Sequence, residues 1–209
     1  THDLVENILE TTSVTPIPHL TCVQHTEEEI SNILKRYSDK GVSNILALRG
    51  DTPKGDTQYN RSNDSFYFAR DLVEFISTFN TSTLGEESKS FGIGVAGFPE
   101  GHPETPNRIK EMDYLKAKVD SGADYICTQL FFDNHDFFDF RDRCELAGIN
   151  VPIIAGIMPV TSISGMQRMA DLAAGSKFPA KLLKSIDRCN SDSDAVERVG
   201  IQYATEQCS

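Results

Sequence analysis

The sequence predicts an α/β fold on a parallel sheet, and within that class a (β/α)8 (TIM) barrel of which this chain carries about five strands. Five short apolar segments, at 17–22, 44–48, 92–98, 125–132 and 153–158, alternate with amphipathic stretches at 27–40, 65–79, 108–121, 135–147 and 163–173. Near-continuous apolar strands separated by helices require a sheet covered on both faces and joined by right-handed crossovers. No GxGxxG or GxxxxGK(S/T) follows any strand, so the nucleotide-binding open sheets lose support and the barrel gains it. A complete barrel uses eight strands and about 250 residues. Residues 1–209 therefore read as most of one barrel domain, with its first strands and its last strand outside the segment.

Each element carries its own signal. A helix over 2–10 precedes the first strand, whose apolar run ends at Thr21-Cys22. Thr26 and Glu29 form a capping box for the helix over 27–40, and Gly41, Gly122 and Gly148 stand where left-handed helix stops belong. The second strand, 44–48, runs into a polar loop at 52–64, which follows a strand and so qualifies as an active-site loop. The polar stretch 80–90 follows a helix and reads as surface. Beyond the fifth strand the periodicity is helical at 163–173, 180–187 and 194–206.

Composition narrows the function classes. With 39% hydrophobic and 24% charged residues the chain is an ordinary globular sequence, and no apolar stretch approaches the roughly 20 residues of a membrane span. No signal peptide is visible at its start, which predicts a cytoplasmic protein. The net charge of −11, from 20 basic and 31 acidic residues with no basic stripe, argues against nucleic acid or an anionic membrane as partner. Five cysteines without metal-ligand spacing predict free thiols, and the three sequons at Asn60, Asn63 and Asn80 are what polar loops produce by chance.

The chemistry concentrates at the predicted carboxyl ends of the strands, where residues distant in sequence meet in a barrel. These ends carry His19 with Thr21, then Arg49-Gly50-Asp51, then Phe98-Pro99-Glu100-Gly101-His102, then Gln129, then Pro159. An arginine offers a planar fork to phosphate or carbonyl oxygen, an aspartate accepts from N–H groups, and the glycine between them permits close backbone approach. On the triplet alone a solvated salt bridge is an equal reading. No strand end offers a Ser/His/Asp nucleophile or a Schiff-base lysine, which disfavours hydrolases and lysine aldolases. His19, His102 and Asp51 lack HxH or HxxxH spacing, so no metal is expected.

With these residues in view the chain resembles the methylenetetrahydrofolate reductase family of FAD-dependent barrel enzymes. The matching blocks are PHLTC at 18–22, NILALRGD at 44–51, FARDLV at 68–73, VAGFPEGHPE at 95–104, LKAKVDSGAD at 115–124, ICTQLFFD at 126–133, FRDRC at 140–144 and PIIAGIMPV at 152–160, in order along nearly the whole chain. The resemblance implies reduction of 5,10-methylenetetrahydrofolate to 5-methyltetrahydrofolate with NADH or NADPH as reductant, in one-carbon and methionine metabolism; it allows a homo-oligomer. It assigns FAD contacts to His19, Leu48, Arg49, Gly50, Asp51, Phe68, Ala69, Phe98, His102, Thr105, Glu111 and Lys118. Gln129 and Asp51 fall on positions that meet the pterin of the folate substrate, and Asp51 is the catalytic candidate. Taken singly, Lys118 also reads as an exposed helix lysine, His102 as a loop histidine and Gln129 as barrel filler.

Three departures from the family pattern stand out. Phe68 and Phe98 replace the usual tyrosines, which removes a hydroxyl hydrogen bond of about 0.5–1.5 kcal/mol at each. Glu111 replaces an aspartate and reaches one methylene further. The family's general-acid glutamate, in an opening strand of SFEFFPP type, is expected upstream of Thr1. A non-catalytic flavin- or folate-binding paralogue, and an unrelated flavin or phosphate barrel, stay open as alternatives.

Overall fold

Parallel pairing in the computed structural model begins with His19 beside Leu46 and Thr21 beside Leu48, and continues with Asn44 beside Gly92 and Ala47 beside Val95. Strands β1 (His19–Thr21), β2 (Asn44–Leu48), β3 (Gly92–Gly97), β4 (Tyr125–Thr128) and β5 (Ile153–Ile154) form one sheet in the order β1-β2-β3-β4-β5. Strict sequential order is what a β/α barrel requires, whereas doubly wound sheets reverse direction at a switch point. The structure describes residues 2–53, 55–56, 58–84, 90–102, 104–172 and 176–209. They divide into two compact units, Thr1–Ala96 with Leu115–Ile126, and Gly97–Tyr114 with Cys127–Ser209.

In the first unit the pleat sorts the side chains. Leu20, Ile45, Ala47, Ile93 and Val95 share one face of the strands by register and are almost fully buried. Helix α3 (Ala69–Phe79) packs on β2 and buries Leu72, Val73 and Ile76, while α2 (Glu27–Asp39) buries Ile30, Leu34 and Tyr37 at the spacing of one helical face. The opposite face carries His19, Thr21, Leu46, Leu48 and Gly94 and is more open, with His19 exposed and Thr21 and Leu48 half-buried. The capping box at Thr26 and Glu29 is present, each backbone N–H meeting the other residue's side chain. Helix α1 (His2–Thr11) joins α2 through a ladder of charges, with Arg36 on Asp3 and Glu6, Lys40 on Glu10, and His2 Nδ1 2.7 Å from the Tyr37 hydroxyl.

The second unit is built from α4 (Arg108–Asp120) in its N-terminal half, α5 (Asn134–Leu146), α6 (Ile163–Leu172), α7 (Ala180–Asp187) and α8 (Ser193–Gln207). Phe132, Val160, Met169, Leu182, Ile186 and Val196 form its core. Helix α8 lies so close to the preceding chain that a Cβ on Gly200 would fall 1.7 Å from the Val160 carbonyl oxygen, so only glycine fits there. Tyr203 donates to Phe132 O at 2.7 Å and Gln207 to Phe131 O at 3.1 Å, which fastens α8 to the segment after β4.

Several predicted boundaries move. The first strand begins at His19 rather than 17, so His19 opens the strand and Thr21-Cys22 forms its carboxyl end. Helix α3 starts at Ala69 rather than 65 because Asp71 accepts the Phe68 N–H at 2.8 Å and fixes Phe68 as its extended N-cap. The fourth and fifth strands are shorter than predicted, since apolar runs continue past the last ladder bond. The stretch expected to be loop from 80 begins as a π-type helical turn, Asn80–Leu84, and Asn80 pairs through its amide with both the N–H and the C=O of Phe91. No helix among the described residues is long and apolar enough to cross a membrane.

Candidate functional site

The Arg49-Gly50-Asp51 triplet directly follows the last ladder residue of β2. Gly50 takes φ +78°, a left-handed conformation that costs an L-residue roughly 1–2 kcal/mol, and a Cβ there would come within 2.8 Å of Val23 Cγ2 and 3.0 Å of Thr21 Cβ. Glycine is thus required twice over. Asp51 is exposed and Arg49 half-buried. The carbonyl oxygens of Arg49 and Gly50 both accept from one guanidinium, that of Arg61, at 3.3 and 2.9 Å.

Other candidates lie around this turn in the same unit. Cys22 donates its thiol to Leu48 O at 3.4 Å and Phe68 O at 3.5 Å, which brings the Leu48 and Phe68 backbones onto one anchor. Burial pushes that thiol up to about 12, so it stays protonated and keeps its donor. The Phe68 ring is exposed, edge-on to Tyr67 at 4.6 Å, and Ala69 next to it opens α3. His19 shares the open face with Leu46 and Leu48. Lys118, in the last turn of α4, donates to Ala96 O at 2.6 Å; Ala96 follows Val95, the partner of Ala47, so the ammonium is held level with the end of β2.

The remaining candidates belong to the second unit. Phe98 and His102 stack edge to face at 4.7 Å. His102 Nδ1 accepts the Glu104 N–H at 3.2 Å, which places the proton of the neutral ring on Nε2 and makes that nitrogen a donor. Thr105 donates its N–H to His102 O at 2.9 Å. Glu111, buried, accepts the His102 N–H at 3.2 Å and lies 3.9 Å from Arg108, so its carboxylate holds the loop that carries His102. Gln129 is the first residue past β4, with its N–H on Gly97 O at 2.8 Å and its side-chain oxygen accepting from Leu130 N at 3.1 Å.

The sequence reading missed the residues that hold these loops. Arg108 donates to Pro99 O at 3.1 Å and Glu100 O at 2.6 Å, and Gly101, at φ +94°, would put a Cβ 2.8 Å from the Arg108 guanidinium carbon. Glu100 accepts the Lys177 N–H at 2.8 Å, and burial raises its carboxyl above the ordinary value. Asn107, whose side chain accepts from Ile109 N and Lys110 N, was a readable signal for the start of α4 but not for the carbonyls Arg108 holds. Arg61 and Cys22 had none, because a lone arginine in a polar loop and a lone buried thiol carry no pattern. Among the described residues no group of three or more metal-ligating side chains is assembled.

A family model described as methylenetetrahydrofolate reductase matches residues 1–209. The chain belongs to that family. A relative in Arabidopsis thaliana, methylenetetrahydrofolate reductase (NADH) 1, is 40% identical over 199 residues, covering 91% of this chain and 32% of the relative. The 5,10-methylenetetrahydrofolate reductase of Escherichia coli (strain K12) is 36% identical over 206 residues, covering 99% of this chain and 64% of its own length. The chain therefore spans between about a third and two thirds of these methylenetetrahydrofolate reductases. A solved phosphonopyruvate hydrolase complex with oxalate and Mg2+ aligns over 99% of this chain and 74% of its own at a TM-score of 0.51 and 15% identity, a likeness of fold alone.

Proposed function

We propose that this chain forms the cofactor- and folate-holding part of an enzyme that reduces 5,10-methylenetetrahydrofolate to 5-methyltetrahydrofolate, with FAD bound and NADH or NADPH as reductant. The observation that carries the reading is the left-handed Arg49-Gly50-Asp51 turn at the end of β2, in a chain matched along residues 1–209 by one family model. The donor set fits a dinucleotide of this kind. A diphosphate needs local cations in a chain of net charge −11, and Arg49 and Lys118 supply them from the same unit. The flat ring needs close backbone approach and an aromatic wall, which Gly50 and Phe68 offer in the first unit.

When bound, FAD would supply the redox chemistry between the reduced nicotinamide and the folate. The chain's own residues do the rest. Asp51, exposed beyond the fixed turn, would accept N–H groups of the pterin and place a negative charge near the flavin. Gln129 would set the register of the pterin through its side-chain amide. His102 would donate from Nε2, while Glu111 keeps its loop in place. In the first unit His19, Leu48 and Ala69 would line the cofactor.

The test is an anaerobic assay of the purified full-length protein. A yellow protein whose flavin is reduced by NADH or NADPH without folate and is then reoxidised by 5,10-methylenetetrahydrofolate supports the reading. A colourless protein that neither binds added FAD nor reduces the folate would overturn it.

A further inference from the structure

We infer that Arg61, which lies outside the Arg-Gly-Asp turn, is the positioning residue that sets the turn's ligand-holding geometry. This rests on the proposal above that the turn holds FAD.

The geometry is specific. Arg61 opens a single 3-10 turn, Arg61–Asn63, in the polar loop after β2, and its two terminal nitrogens reach back eleven and twelve residues to Gly50 O and Arg49 O. A trans peptide points its N–H opposite its C=O. Holding these two carbonyls on one side therefore turns the N–H groups of Gly50 and Asp51 to the other, as two successive oriented donors. Without the fork, the two peptide planes next to a glycine are the easiest in the loop to flip.

The arginine is itself anchored. Its guanidinium lies 6.0 Å from the Tyr59 ring centroid, the Tyr59 hydroxyl donates to the Asp64 carboxylate, and Asp64 also accepts the Gln24 N–H at 3.3 Å from the loop after β1. Backbone bonds from Asn63 N to Asn60 O and from Asp64 N to Arg61 O, both 3.0 Å, close the turn between them. Segment 59–64 is thus a clasp: it grips the β1 loop through Asp64 and the β2 turn through Arg61. A lysine could offer a point charge to one carbonyl but not a planar fork to both.

The experiment is a fluorimetric FAD titration of the full-length protein and its Arg61→Ala and Arg61→Lys variants, with visible circular dichroism of the bound flavin and thermal melting of each apoprotein. The expected result is FAD binding weakened roughly 10- to 100-fold by Arg61→Ala and less by Arg61→Lys, an altered flavin dichroism, and an apoprotein that melts as the unsubstituted one does. Arg61→Ala binding FAD within about twofold of the unsubstituted protein, with the same dichroism, would overturn the inference. Should Arg61→Ala fail to fold, Arg61→Lys decides: weakened binding supports the clasp and unchanged binding refutes it. Absence of FAD binding by the unsubstituted protein would overturn the cofactor reading and the clasp with it.

Discussion

Two strand-end turns, one in each unit, are built on the same device and used differently. After β2, Arg61 grips the carbonyls of Arg49 and Gly50; after β3, Arg108 grips those of Pro99 and Glu100. Each has a left-handed glycine at or next to the gripped carbonyls, Gly50 and Gly101. The difference lies in what is left to present. In the second turn Gly101 N–H bonds back to Phe98 O at 3.0 Å and His102 N–H goes to Glu111, so the backbone is spent internally. In the first, the clasp turns the Gly50 and Asp51 N–H groups away from Arg61, so the backbone itself is offered. The first turn is suited to a ligand that approaches closely, the second to one met by His102 and Phe98.

The sharpest way to break this contrast is alanine at the two glycines. Gly50→Ala adds left-handed strain of roughly 1–2 kcal/mol to a collision with the Val23 and Thr21 side chains near the backbone, and should lower FAD affinity more than tenfold along with a lower melting temperature. Gly101→Ala meets the Arg108 guanidinium, so it should add backbone strain and displace Arg108 from the Pro99 and Glu100 carbonyls while sparing FAD affinity by comparison. Flavin titration and thermal melts of both variants check the order, and the reverse order would erase the distinction between the turns. Next in size, Gln129→Ala should weaken folate by about 1–3 kcal/mol with FAD content unchanged, as seen by folate KM and flavin absorbance; loss of FAD would make Gln129 a structural residue instead.

The smallest effect concerns Glu100, which ties the second turn to Lys177. Burial raises its carboxyl above the ordinary value, so the folded state holds that proton more tightly than the unfolded chain. Its contribution is complete below the ordinary carboxylate pKa and is lost as pH rises through the raised one. Urea unfolding across that window should show stability falling with pH, and Glu100→Gln should flatten the slope. A slope unchanged in the variant would assign it to another group.

How much of this was legible in the sequence follows from which interactions carry patterns. Alternation of apolar strands and amphipathic helices made the β/α order readable, and Thr26 with Glu29 marked a helix start to the residue. Strand ends were read too long at 125–132 and 153–158 because apolar residues continue into loops after ladder pairing stops. His19 opens β1 rather than closing it, because ladder pairing starts only there and the apolar run from 17 begins before it. Family-like blocks named the candidate ligand-facing residues, yet gave no sign of the carbonyls that Arg61, Cys22 and Arg108 hold. Those three residues act on backbone carbonyls, and a carbonyl is present at every position, so nothing in the sequence marks the one that will be gripped.

The central claim is that Asp51, set in place by the first turn, serves the folate as well as the cofactor. Stopped-flow measurement of the two half-reactions in full-length Asp51→Asn, flavin reduction by NADH or NADPH and flavin reoxidation by 5,10-methylenetetrahydrofolate, tests it most directly. The account predicts retained FAD and a folate half-reaction slowed well beyond the nucleotide half-reaction. Equal slowing of both, or a folate half-reaction at the unsubstituted rate, would contradict it.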